Sequence, residues 1–283
     1  MAFFDYLRPR DLNDALEMLR LEGVHPIAGG TNLLVDIRAG HVRPKALLDL
    51  GAVEELKTIR HHAPVTELGP LLTMADVIGS PLLNSQAPIL TQAALRVGGP
   101  QIRNRATLGG NIVSASPAGD IITALVALDA SVTLQNRSGM RTMALEDFIK
   151  GPGRTDLRRG DLLTQISFIN PGLNSRSVFF KLGRRNALAI SIVNLGIVAV
   201  TDQASDKRTI RIALGSVGPK VFRARQAEAL LSDCPVNDEQ VRRAAKVAAS
   251  ECSPISDIRA SAEYRRAMVE ITVEKTFREL LGG

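Results

Sequence analysis

Two glycine pairs, far apart in a chain of 283 residues, carry the first chemical signal. Gly29-Gly30 precedes Thr31-Asn32, between an apolar run that reads as a strand and a stretch that reads as a helix. Gly109-Gly110 lies within Thr107-Leu108-Gly109-Gly110-Asn111. Missing side chains let backbone N–H groups at a helix start approach an anion, so each bend can cradle a phosphate, or simply make a tight turn. Two such bends could grip a diphosphate from both sides. A charge-assisted hydrogen bond contributes about 1.5–3 kcal/mol, so several of them offset the entropy of ordering a ligand. Neither bend has the GxGxxG spacing of a dinucleotide fold or the Gly-Lys-Ser/Thr ending of a P-loop. Arg103 and Arg105 flank the second bend and either offset phosphate charge or pair with surface acids. Asp120 caps the helix that follows, accepts from ribityl or ribose hydroxyls, or divides its two oxygens between both roles.

The remaining inventory is thin. His25, His41, His61 and His62 show neither the i, i+4 spacing of a helical metal site nor a nucleophile motif, and read as surface or loop residues. Glu146, Asp147 and Asp161 form no recognisable acid/base dyad. Cys234 and Cys252 are too few for an iron–sulfur or zinc centre and read as inert thiols. Any chemistry is therefore expected from a bound cofactor. A net charge of +6 fits an anionic cofactor or an acidic partner. Nucleic acid is disfavoured, because aromatics make up 4% of residues with no Trp to stack on bases. The basic residues Lys207, Arg208, Arg211, Lys220, Arg223 and Arg225 read as a solvated face. The longest apolar run, Ile190 to Val200, is broken by Ser191, Asn194 and Gly196 and falls short of the ~20 residues of a membrane span. The opening MAFFDYLRPRD has no apolar secretory core, and the expected compartment is the cytoplasm.

The elements that must position these bends follow from periodicity and punctuation. Leu12, Ala15, Leu16 and Leu19 predict an amphipathic helix capped by Asp11 and ended by Gly23. Val24–Ala28 predicts a strand, the stretch with Leu33, Leu34 and Ile37 a helix, and Ala46–Leu50 a strand, closing a small α/β unit near residue 57. A strand through Leu68, a helix from the Thr73 cap through Ile78, and a helix over Ala87–Val97 come next. Residues 98–120 read as one long structured loop, too rich in Gly and Pro for an ordinary connection. Ile121–Leu128 predicts a helix, and Ser131–Gln135 with Met140–Met143 a hairpin. Strands over Leu162–Ile169, Val178–Leu182, Ile190–Val200 and Thr209–Val217, then helices over Ala224–Leu231, Asp238–Glu251 and Ala262–Leu281, predict an antiparallel sheet with a helical layer. The division falls near residue 173.

Two segments, IAGGTNLL (27–34) and TLGGNIVSASPAGD (107–120), resemble the paired flavin-binding motifs of the FAD-binding medium subunits of molybdenum hydroxylases, the xanthine dehydrogenase and carbon monoxide dehydrogenase family. The resemblance extends to FDYLRPRDLNDALEML, VGGPQIRNRATLGGN, GPGRTDL, VFFKLGRRNALAIS and IRIALGSVGPKVFRARQAEALL, in order along nearly the whole chain. GPQIRN and GPGRTDL look most like the bacterial xanthine dehydrogenase branch. The implied fold is α+β: a vanillyl-alcohol-oxidase-like (PCMH-type) FAD-binding domain over residues 1–173, with α/β subdomains of about 1–57 and 58–173, then a C-terminal domain over 174–283. Pro26, Ile27, Ala28, Gly29, Gly30, Thr31, Asn32 and Leu33 would form the first diphosphate loop. Thr107, Leu108, Gly109, Gly110 and Asn111 would form the second. Val97 would lie near the adenine or ribityl portion, Asp120 would bind cofactor hydroxyls, and Leu163 and Lys181 would lie near the isoalloxazine. FAD would be noncovalent, since Thr31 and Asn32 offer no His or Cys for attachment. Family members with an additional cluster in this subunit carry a cysteine-rich insertion, which this sequence lacks. The molybdenum cofactor and [2Fe-2S] clusters would sit on a large and a small partner subunit, in a heterotrimer or its dimer. Electrons would leave to NAD or another acceptor. The rival readings are a free-standing flavin-dependent oxidase or reductase and an anion-binding scaffold without redox function.

Overall fold

The computed structural model describes residues 4–172, 174–185, 188–201, 208–232 and 237–282. Asp11 opens the first helix by accepting from the Asp14 N–H at 2.8 Å, and α1 (Leu12–Met18) buries Ala15 and Leu16. Strand β1 (Asp5–Leu7) lies parallel to β3 (Ala46–Asp49), which lies parallel to β2 (Val24–Ile27). Between β2 and β3 runs α2 (Leu33–Arg38). Ala15, Leu16, Leu48, Leu50, Val53 and Leu56 share a core with Leu71 and Leu162 of the following unit.

The second unit is a five-stranded antiparallel sheet in the order β4 (Ile59–His62), β5 (Val65–Leu68), β10 (Leu162–Ile169), β6 (Ser131–Asn136), β7 (Gly139–Ala144). Helices α3 (Met74–Gly79), α4 (Pro81–Gln86) and α5 (Pro88–Leu95) follow β5. Thr73 and Asp76 close a reciprocal capping box on α3. The expected long loop over residues 98–120 is corrected: it contains α6 (Pro100–Arg103) and α7 (Leu108–Val113), the latter pinned by buried Leu108 and Ile112. Asp120 is likewise not a cap. It is the first residue of α8 (Asp120–Ala127), behind Gly119, and makes no capping bond. After β7 come α9 (Leu145–Phe148) and a small ribbon of β8 (Ile149–Gly151) and β9 (Arg154–Thr155).

The third sheet is antiparallel, in the order β11 (Ser175–Gly183), β12 (Ser191–Thr201), β13 (Arg208–Gly215), β14 (Phe222–Arg223). One face packs on α10 (Arg225–Leu231), α11 (Asp238–Ser250) and α12 (Ala262–Gly282) through Leu195, Ile197, Ile212, Ala245, Val273 and Phe277. Its other face is covered as well, by α5 and α8. A Cβ on Gly196 would stand 3.1 Å from both Ala127 Cβ and Ile89 Cδ1, so β12 meets those helices at glycine distance. Burial on both faces explains why β12 reads as a near-continuous apolar run. Three of the residues expected on a solvated basic face instead join the C-terminal part to the second unit: Lys220 Nζ donates to Glu146 O, Arg223 pairs with Asp129 while also holding Glu228 within its own part, and Arg225 pairs with Glu146. Lys207, Cys234 and residue 173 lie outside the described residues. Cys252 is buried, and burial pushes its thiol up to about 12.

Candidate functional site

Beyond the carboxyl end of β2 the chain makes its first glycine bend, the end of a parallel sheet where ligands of α/β proteins gather. Gly30 has φ +72°, in the left-handed region that glycine tolerates best. Among the described residues, the backbone N–H groups of Gly29, Gly30, Thr31, Asn32 and Leu33 donate no hydrogen bond. Five consecutive donors are thus left for something other than the chain. Gly29 is also where the two bends touch: a Cβ there would lie 1.8 Å from Arg105 O. Asn32 Nδ2 donates to Ser114 Oγ at 3.0 Å, and that hydroxyl donates to Gly110 O at 2.7 Å, so side chains staple the bends together.

The second bend differs in how its donors are used. Thr107 Oγ1 accepts from the Gly110 N–H at 3.1 Å, Leu108 N donates to Leu72 O, Gly109 N to Pro70 O and Asn111 N to Thr107 O. The expectation of a second row of open amides is corrected, because the start of α7 is satisfied within the chain. What this bend offers is surface and one acceptor. Gly110 is exposed, and a Cβ there would meet only Thr107 Oγ1 within 4 Å. Asn111 Oδ1 is buried without a hydrogen-bond partner. An orphaned acceptor of this kind is uncommon enough to mark a place for a donor.

Both bends line one cavity of about 420 Å³. Of the residues expected at the cofactor, Pro26 to Leu33, Val97, Thr107, Gly109, Gly110, Asn111 and Leu163 all border it. Leu108 is buried beneath, holding α7 to the core. Asp120 and Lys181 lie outside the lining. They pair with one another, Lys181 Nζ to Asp120 Oδ2 at 2.5 Å, while Asn194 Nδ2 donates to Asp120 Oδ1 at 3.0 Å. Lys181 Nζ also donates to Arg96 O at 3.1 Å, which ties the pair to the backbone next to Val97 of the lining. Burial pushes the Asp120 carboxyl above its usual range, against the opposing pull of Lys181, Asn194 and Arg96. Arg103 does not border the cavity. Its guanidinium donates to the carbonyls of Leu95, Val97 and Gly98, finishing the end of α5.

Sequence reasoning missed the rest of the wall. Leu50, Pro70, Leu71, Ile102, Val113, Leu157 and Leu162 make it apolar, and His25, Asp36, Ser114 and Asp161 add polar edges. His25, expected on the surface, sits in β2 and borders the cavity. Asp161 is fixed by Arg141 at 2.7 Å, Asn136 at 2.8 Å and the Arg158 N–H. Burial raises its pKa, but those hydrogen bonds outweigh burial and hold it below the usual carboxylate range. The signal for this wall was the polar-to-apolar step Asp161-Leu162-Leu163 entering β10, which carries no chemical motif.

Residues 2–168 match the family described as the FAD binding domain in molybdopterin dehydrogenase, and residues 178–280 match the CO dehydrogenase flavoprotein C-terminal domain. This chain belongs to the FAD-binding medium-subunit family of the molybdenum hydroxylases. It is therefore an FAD-binding oxidoreductase subunit. The glyceraldehyde dehydrogenase medium chain of Sulfolobus acidocaldarius is 31% identical, over 98% of each chain. The nicotinate dehydrogenase FAD-subunit of Eubacterium barkeri is also 31% identical, over 99% of this chain and 97% of its own length. In structure, a chain of the carbon monoxide dehydrogenase from Hydrogenophaga pseudoflava that lacks the Mo-pyranopterin moiety of its molybdenum cofactor superposes with a TM-score of 0.93. It is 28% identical and covers 99% of this chain and 97% of its own. The donor set suits the flavoprotein family: a row of open amides for a diphosphate, an orphaned acceptor and a mostly apolar wall. Among the described residues, no group of three or more His, Cys, Asp or Glu could hold a metal, and no helix is long and apolar enough to cross a membrane.

Proposed function

We propose that this chain is the electron-transfer subunit of a cytoplasmic molybdenum hydroxylase complex, receiving electrons from the iron–sulfur clusters of a small partner subunit and delivering them to NAD or another acceptor. Substrate hydroxylation belongs to a large partner subunit with the molybdenum cofactor. The observation that supports this reading best is the run of five open N–H groups at Gly29 to Leu33, held against the Thr107–Asn111 bend in one cavity. FAD, when bound, supplies a ring that takes up electrons singly and gives them up in pairs.

The chain's own residues do the rest. Gly29 to Leu33 hold the diphosphate noncovalently with their amides, at the start of α2. Asn111 Oδ1 accepts from a ligand donor. Leu50, Leu71, Val97, Ile102 and Leu163 exclude water from the cavity, which strengthens every electrostatic contact inside it. The Asp120–Lys181 pair, tied to the carbonyl that precedes Val97, sets the charge on that side of the cavity. A division near residue 173 gives the flavin-binding part its own two larger sheets and the β8–β9 ribbon, and leaves the remaining sheet to the C-terminal part.

Co-expression with the partner subunits tests the reading. Flavin absorbance in the purified complex that bleaches when the organic substrate is added is the expected result. An isolated chain that turns over an organic substrate by itself would favour a free-standing oxidase. A complex purified without flavin, and unable to take it up, overturns both.

A further inference from the structure

Asn194 is a polar residue with no exposed surface, in the middle of β12, between Val193 and Leu195 of the C-terminal core. Its register places it beside Lys181 of β11 on one side and Gly215 of β13 on the other. Lys181 and Asn194 both reach the first residue of α8, from neighbouring strands, and bond to different oxygens of Asp120. The Asn194 amide is held from behind, where Thr123 Oγ1 donates to Asn194 Oδ1 at 2.9 Å. Ser191 Oγ accepts a second bond from Nδ2 at 3.2 Å. Gly215 keeps this arrangement possible, since a Cβ there would stand 2.0 Å from Asn194 Oδ1 and 2.7 Å from Thr123 Oγ1.

Asp120 also differs from the other buried carboxylates of the described residues. Asp161 is paired with Arg141 and Glu228 with Arg223, each through a planar guanidinium. Asp120 has a lysine, a point charge without the fork that locks a carboxylate, and therefore depends on a further donor for its orientation. We propose that Asn194 is a positioning residue, which holds the Asp120 carboxylate as the partner of Lys181 and so sets the charge next to Val97 of the flavin cavity. This rests on the flavin reading given above. The charged groups that face Asp120 are Lys181 from β11 and Arg96 from the end of α5, and Asn194 is the neutral donor from β12. Asn194 orients the carboxylate and favours its ionised form. With Asp120 ionised the Lys181 charge is offset, and with Asp120 protonated it is not.

The test measures the Asp120 carboxyl titration by carbon-13 NMR in the full chain freed of flavin, and the flavin midpoint potential in the assembled complex. Asn194→Leu should raise the Asp120 titration midpoint by roughly one pH unit or more, the effect of losing one charge-assisted donor. Thr123→Val, which frees the amide from behind, should move it less in the same direction, and Asn194→Ser, which keeps a hydroxyl donor, should fall between wild type and the leucine variant. At a pH between the two midpoints, the flavin potential of Asn194→Leu should lie above wild type, because the lysine charge is no longer offset. A folded Asn194→Leu with an unmoved Asp120 midpoint overturns the proposal, as does a moved midpoint with an unmoved potential. If the leucine variant does not fold, Thr123→Val decides by the same two readings. Failure of wild type to hold flavin counts against the flavin reading instead, and leaves the Asp120 titration readable.

Discussion

Gly29 and Gly30 look equivalent in sequence but answer to different constraints. Gly30 needs its left-handed φ of +72°, whereas Gly29 needs the absence of a side chain, since a Cβ would lie 1.8 Å from the Arg105 carbonyl. Gly29→Ala should push the two bends apart and lose most of the bound flavin while the rest of the fold persists. Gly40→Ala is the control: it has φ +78° with nothing near its would-be Cβ, so it should cost roughly 1–2 kcal/mol of strain and keep the flavin. Flavin absorbance per protein, beside a thermal melt, separates the two effects. Asp161 yields a prediction in pH. Its carboxyl is held below the usual range in the folded protein, so it contributes stability above its unfolded pKa near 4. That contribution fades as pH falls through the lower folded value. Asp161→Asn should therefore destabilise the chain at neutral pH by about 1–3 kcal/mol, and the wild-type and variant curves should converge in acid. Urea unfolding at several pH values checks both the size and the convergence.

Whether an element announced itself depended on where its packing comes from. α1, α5 and α8 follow apolar periodicity, β11, β12 and β13 stand out as apolar stretches whereas the two-residue β14 does not, and Thr73 with Asp76 marks a helix start by chemistry alone. α6 and α7 did not show, because Gly and Pro punctuate them and each is too short to display a period. The helicity of α7 comes from tertiary contacts, Leu108 and Ile112 in the core and the Gly109 amide on Pro70 O. β4 was missed because Ile59–His62 alternates polar and apolar only weakly and borrows its register from β5. The glycine bends of the site were legible, since glycine has few substitutes there. Its apolar wall was not, because Leu50, Leu71 and Leu157 resemble any core residue until the chain folds. The contact of β12 with α5 and α8 is also set at this scale. Gly196→Val would insert two methyl groups where a single Cβ already sits 3.1 Å from Ala127 and Ile89. Overpacking of that kind costs about 1–3 kcal/mol, so the melting temperature should fall by several degrees in calorimetry.

At the scale of the whole molecule, the third sheet is shared: its own helices α10, α11 and α12 cover one face and α5 and α8 of the flavin-binding part cover the other, so the two parts pack through it. Polar contacts then fix the angle between them. Arg223 donates to Asp129 just past the end of α8, to Glu228 on α10 through two bonds, and its own N–H reaches Glu146 on α9. These contacts are unequal in worth. Asp129 is mostly exposed and its pairing is screened by water, whereas Glu228 is buried, with Oε1 also accepting from the Ile212 N–H at 2.7 Å. Removing the arginine alone should strand a buried carboxylate, so Arg223→Leu is expected to cost about 3–5 kcal/mol, well beyond a surface ion pair. Adding Glu228→Gln removes the stranded charge but keeps an acceptor for Ile212. The double variant should therefore be more stable than Arg223→Leu alone. Guanidinium titrations of the two single variants and the double variant form the cycle that measures this coupling. If the double variant is less stable than Arg223→Leu, the cost lies in lost packing of the arginine stem and not in a stranded Glu228 carboxylate.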